Sequence, residues 1–170
     1  MKLRALEVGD AETILRWREA MGPGLRTSRP ISLPEEREWI VSPPRNSRWW
    51  AIVEIDSPEL LSVIGLTNIE WENGKAEMSI MGPDSEEMKL GVNRLGMLAF
   101  NELRLRSIYK EVYECDPYRN ALMDEFAQLR ADMVMLSDRK YFDGQYWDSR
   151  FYTLRLSLPG RNEPIRGMIG

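Results

Sequence analysis

The chain's 170 residues include no histidine and only one cysteine, Cys115. The commonest general base, the Ser-His-Asp arrangement and most catalytic metal sites are thereby removed. An internal disulfide and a cysteine-rich zinc site are excluded as well. Any chemistry must rest on carboxylates, Tyr, Lys, Ser, the thiol or the backbone, and no metal site is expected. One stretch has the form of an anion site: "IMGPDSEEMKLGVNRLGMLAF", Ile80–Phe100. A strand end runs through a turn into an amphipathic helix, and free N–H groups at a helix N-terminus suit phosphate. Yet Glu86 and Glu87 stand at that terminus, and the helix start holds one glycine, Gly91.

The elements that would position such a site follow from periodicity and turn signals. "KLRALE" is an edge strand, and Asp10 caps a helix over "AETILRWREAM" that "GPG" at Gly22–Gly24 ends. "SLPEEREWI" is a second helix with Ser32 as N-cap, Pro34 in its first turn and Glu35 completing a capping box. Strands are expected over Arg48–Ile55 and Leu60–Glu72, with Gly65 marking a bulge or close backbone approach. Asn73–Gly74 is a hairpin turn returning through Lys75–Met81. A helix from about Met88 to Arg104 presents Leu90, Leu95, Leu98, Ala99 and Leu103 as its apolar stripe. Ser107–Glu114 is a strand, Arg119–Arg130 a helix, "ADMVML" a further strand, and Asp143–Gly144 turns a closing hairpin. The order β-α-α-β-β-β-α-β-α-β-β is a mixed α/β sandwich of helices on one sheet. Residues 1–158 form one domain, and 159–170 a flexible tail.

Net charge is −4 and the pI about 5.1, against a nucleic-acid binder. No apolar run nears the ~20 residues that span a bilayer, and "MKLRALEVGDAE" lacks a signal-peptide core. A cytoplasmic protein with no membrane partner is expected.

Five motifs in order resemble the GNAT superfamily of acetyl-CoA-dependent N-acetyltransferases, in the branch of the ribosomal-protein N-terminal and amino-sugar nucleotide enzymes. They are "DAETILRWREA", "ISLPEEREWI", "VIGLTNIEWENGKAEMSI", "AFNELRLRSIYKEVYE" and "DGQYWDSRFYTL", spread over nearly the whole chain. The resemblance implies about seven strands, a splay between the fourth and fifth, and about four flanking helices. It implies an acetyl-CoA site with backbone at Ile80, Met81 and Gly82 facing pantetheine and thioester. The pyrophosphate would rest on the helix start, Glu87, Met88, Lys89, Leu90, Gly91 and Val92, with Asp116 at a position that commonly contacts coenzyme. In the family pattern R/Q-x-x-G-x-G/A, Glu86 stands for the Arg/Gln and Lys89 for the first glycine, an eroded loop. By the same resemblance Glu70 is the base, Tyr118 the general acid with Tyr113 and Cys115 behind it, and Glu77 is structural. Arg26, Thr27, Arg29 and Trp71 would bind substrate, first an amino-sugar nucleotide-like amine, second a protein N-terminus. A non-catalytic domain with a degenerate coenzyme site is the alternative. A monomer or homodimer is expected.

Overall fold

The computed structural model describes residues 1–25, 29–83, 85–116 and 128–156. Seven strands, β1 (Lys2–Arg4), β2 (Arg48–Val53), β3 (Leu60–Glu70), β4 (Lys75–Met81), β5 (Ser107–Tyr113), β6 (Asp132–Phe142) and β7 (Gln145–Arg155), form one sheet. Their order is β1-β2-β3-β4-β5-β7-β6. All neighbours run antiparallel except β4 and β5, which are parallel. Three helices are described, α1 (Ala11–Ala20), α2 (Leu33–Val41) and α3 (Glu86–Met97). The helix expected over Arg119–Arg130 falls mostly outside the described residues, and the expected tail, 159–170, wholly so.

Alternation along the strands sends two residue sets to opposite faces. On one face Ala76, Met78 and Ile80 of β4, with Ile108 and Val112 of β5, join the main core under α3. Helix α3 seats Met88, Val92 and Leu95 there, all at most 2% exposed. Burying side chains of that size contributes roughly 1.5–3 kcal/mol each. Gly91 lets the helix approach: a Cβ there would lie 2.5 Å from Ile52 Cδ1. On the other face Val63 and Met81 pack with Ile14 and Met21, beneath α1 and α2. The buried Glu36 carboxylate, 2.9 Å from Arg18 Nε, fastens α2 to α1.

Several local expectations are corrected. Asp10 stands at the N-cap of α1 but makes no side-chain cap bond. Its carboxylate instead accepts from Glu7 N–H at 2.8 Å and from both terminal nitrogens of Arg4, at 2.7 and 2.8 Å. The Ser32–Glu35 capping box of α2 forms as expected. Gly65 marks a close approach rather than a bulge, since its missing Cβ would sit 2.3 Å from Trp49 Cε3. The bulge of β3 lies further on, between Thr67 and Glu70, with Asn68 at φ 49°. Helix α3 stops at Met97, and a π turn over Leu98–Glu102 takes up the rest of the expected helix. Leu90, placed in the apolar stripe from sequence, is 52% exposed.

Candidate active site

Strands β4 and β5 are paired at only three positions, Lys75↔Ser107, Ala76↔Ile108 and Glu77↔Tyr109. Beyond them β4 continues to Met81 and β5 to Tyr113 with no further pairing to each other. The strands part in a V whose apex is the Glu77–Tyr109 pair. The opening exposes ladder groups of Met78–Met81 toward β5, and buried backbone groups need partners. An extended polar chain that supplies amides in strand-like register meets that need.

The apex carries carboxylates on the α1–α2 face. Glu77 is 8% exposed, and its Oε2 accepts from Asn68 Nδ2 at 2.9 Å. The bulge at Asn68 turns that amide across to β4. Glu111 lies two residues beyond Tyr109 on the same face, and is 6% exposed. Its Oε1 accepts from the fully buried Ser149 hydroxyl at 2.8 Å and from Arg139 Nε at 3.0 Å. Tyr109 stacks on Phe151 with ring centroids 5.2 Å apart. Thr67 and Ser79, hydroxyls 3.3 Å apart, continue the surface up β4. An ammonium arriving on this face meets carboxylates and an aromatic wall, a setting that attracts cations.

At the mouth of the V, Gly82 adopts φ 139°, and a Cβ there would lie 2.9 Å from Ser62 Cβ. The α3 N-terminus follows, capped by the Ser85 hydroxyl, which accepts from Met88 N–H at 3.3 Å. The cradle expected over Glu87–Val92 contracts here. Met88, Gly91 and Val92 are buried against the sheet, and Leu90 points to solvent. Lys89 is engaged by Glu86 at 2.7 Å. The Glu87 carboxyl is held below its usual range by its own backbone N–H, then by Ser85. The chain's own anions therefore compete for the place a pyrophosphate would take.

Glu70, the base expected from sequence, lies at the closed end of the V. It is exposed, pairs with Lys75 in the ladder and accepts from Asn73 Nδ2 at 2.7 Å. Lys75 and Ile80 of β4 are five strand steps apart, about 17 Å at strand rise. Trp71 sits at the same remote hairpin, half exposed, with the Arg48 guanidinium 5.8 Å from its ring centroid. Arg29 is exposed and bonded to Glu35 and the Pro30 carbonyl. Arg26, Thr27 and Tyr118 lie outside the described residues. Asp116, expected beside coenzyme, is buried with its carboxylate against the Gly24 backbone, at the α1–α2 side. Glu77 was read from sequence as structural, and Glu111, Ser149, Arg139 and Asn68 carried no signal. The alternation of "SIYKEVYE" could have marked Tyr109 and Glu111 as sharing a face, but not which face.

No protein-family model matches the chain, and no curated protein matches it in sequence. Solved structures do. A variant of the spermidine N-acetyltransferase SpeG from Vibrio cholerae aligns over 91% of this chain and 95% of its own, with TM-score 0.77 and 20% identity. The same enzyme in complex with CoA and spermine aligns over 91% and 94%, again with TM-score 0.77 and 20% identity. Its dodecameric form aligns over 91% and 92%, with TM-score 0.73 and 20% identity. The chain has the GNAT fold. At this identity the likeness carries the GNAT architecture, with its parted parallel strands, and leaves the substrate to the residues at the V.

Proposed function

We propose that the protein is an acetyl-CoA-dependent N-acetyltransferase acting on a primary amine of a small cationic molecule. The observation that carries this is the parting of β4 from β5 directly above two buried carboxylates, Glu77 and Glu111. Acetyl-CoA supplies the acyl group as a thioester, whose carbonyl carbon takes the amine's lone pair as the C–S bond breaks. The unpaired β4 edge from Met78 to Met81 would hold the pantetheine amides, and Gly82 leaves room for the turn toward α3. The first N–H groups of α3 would face the pyrophosphate, with Glu86 and Glu87 displaced outward.

Amine attack requires loss of the ammonium proton before or during bond formation. Glu77 is assigned that role: it stands at the apex, and the Asn68 amide orients its carboxylate. Glu111, whose charge Arg139 offsets, helps to fix the ammonium beside Tyr109. Tyr113, buried at the end of β5, is assigned as proton donor to the departing thiolate. The acidic apex and the engagement of Arg29 by Glu35 favour a cationic amine over an amino-sugar nucleotide. The spermine held by the structurally similar enzyme has the same character.

A second reading, a GNAT-fold domain without turnover, is favoured by one observation, the carboxylates at the α3 N-terminus. Calorimetry with acetyl-CoA, followed by thiol release with spermidine as acceptor, separates the two. Saturable binding with turnover is expected. Binding without turnover on any of a panel of amines would support the second reading.

A further inference from the structure

The acceptor side of the V is closed by a segment that neither α1 nor α2 holds by itself. Gly22–Leu25 leaves α1 as a single 3-10 turn, with Gly24 N–H bonded to Met21 O and Leu25 N–H to Gly22 O. Three side chains grip it, one on β6 and two in the turn just beyond β5. The Lys140 ammonium, on β6 and 8% exposed, donates to the Leu25 carbonyl at 2.6 Å. The Cys115 thiol donates to the Pro23 carbonyl at 3.5 Å. The Asp116 carboxylate fills the space a Gly24 side chain would need, within 2.5 Å of the position of its Cβ. The side chain of Leu25 meanwhile packs against the cluster of Ile14, Met21, Val63 and Met81. The segment thus links the cluster that includes Met81 of β4 to the residues that follow β5 and to Lys140 on β6. The Lys140 ammonium also lies 5.6 Å from the Tyr113 ring centroid.

A built irregularity places Lys140 there. The β6–β7 register shifts between Leu136 and Lys140, and Asp138 takes φ 54°. In a regular strand Arg139 and Lys140 would point to opposite faces. The bulge turns both to the acceptor face, Arg139 to Glu111 and Lys140 to Leu25. One local distortion therefore orients a carboxylate at the apex and pins the wall above it. Gly22 and Leu25 also line a cavity of about 340 Å³ with Leu15, Arg18, Arg29 and Ile31.

We propose that Lys140 is a positioning residue for the amine acceptor: by holding the Leu25 carbonyl it fixes the wall across the open V and sets acceptor affinity without touching the acyl donor. This rests on the acetyltransferase reading, and the test separates the two. Lys140→Met and Lys140→Arg are compared with the natural protein by amide hydrogen exchange, CoA calorimetry and steady-state kinetics with spermidine. Loss of a hydrogen bond from a charged donor should speed exchange at Gly24 and Leu25 about tenfold or more in Lys140→Met. The spermidine KM should rise about tenfold, with kcat changed by less than about twofold and CoA affinity unaltered. Lys140→Arg should recover most of the KM. Should Lys140→Met fail to fold, Lys140→Gln serves in its place. Unchanged exchange at Gly24 and Leu25, or parallel losses in CoA affinity and spermidine KM, would overturn the proposal. Natural protein that binds CoA yet never acetylates spermidine would count against the amine reading, and the exchange rates alone would then decide the clamp.

Discussion

Replacing Glu77 by Gln tests the proton-transfer assignment while keeping the shape of the apex. The side chain is nearly isosteric, and its amide oxygen can still accept from Asn68 Nδ2, now 2.9 Å from Oε2. A hydrogen bond to a charged group contributes about 2 kcal/mol net and a neutral one about 1, so the substitution should cost about 1 kcal/mol of stability. For a domain of this size that lowers Tm by about 2–4 °C, leaving the fold intact at assay temperature. The chemical effect should be far larger. A positioned base contributes roughly 10²–10⁴ in rate, so kcat with spermidine should fall about a hundredfold or more. CoA affinity, measured by calorimetry, should be unchanged, because the V edge at Met78–Met81 is untouched. Glu70→Gln, at the exposed hairpin, is the paired control and should keep activity within about twofold. The reasoning is refuted if Glu77→Gln turns over as fast as Glu70→Gln, and more so if Glu70→Gln is the variant that loses activity.

Three further perturbations follow from other parts of the structure. Gly65→Ala drives a methyl into the Trp49 ring and should cost about 1–3 kcal/mol in a denaturant melt, through overpacking. The Glu35 carboxyl is lowered to about 2, by the Ser32 backbone N–H first, then the Ser32 hydroxyl and Arg29. Its folded pKa lies below the ordinary carboxyl value of 4.5, so its contribution is present above that value and lost as pH falls toward about 2. Amide exchange in the first turn of α2 should quicken over that interval, and no change there would contradict the cap. Burial pushes the Asp10 carboxyl up, but Arg4 and the Glu7 N–H together outweigh it, so the carboxyl is held below its ordinary range and the link from β1 to α1 should weaken only as pH falls through that lowered value. Finally, Glu87→Gln removes an anion from the α3 N-terminus and should tighten CoA binding, with weaker binding or no change as the contrary result.

The architecture was legible because each level of the sequence agrees with it. The bounds of β4 follow from Asn73–Gly74 and the alternation of "KAEMSIM", and Ser32 with Glu35 marks the start of α2 without ambiguity. The site was less legible, because irregularities decide it. The bulge at Asn68 turns its amide to Glu77, the carboxylate proposed as base in place of Glu70, and strand alternation counted from the hairpin cannot reveal a shift of register. The bulge at Asp138 likewise turns Arg139 and Lys140 to one face against the expectation of period two. Gly91 reads in sequence as the last small residue of a phosphate loop, and the structure adds a reason no local pattern shows: close packing of α3 on Ile52 leaves no room for a Cβ there. Asp116, expected beside coenzyme, lies against Gly24, 92 residues distant in sequence. Each departure depends on long-range partners that no local pattern encodes.

The central claim is that the V between β4 and β5 receives an acyl-CoA. Titrating acetyl-CoA into isotopically labelled protein tests it most directly, with amide shifts followed residue by residue. The account predicts saturable changes concentrated at Met78–Gly82 and Lys110–Tyr113, with smaller ones at Glu86 and Glu87 and none at Glu70 or Trp71. An absence of shifts at millimolar acetyl-CoA, or shifts centred on the Glu70–Lys75 hairpin, would contradict it.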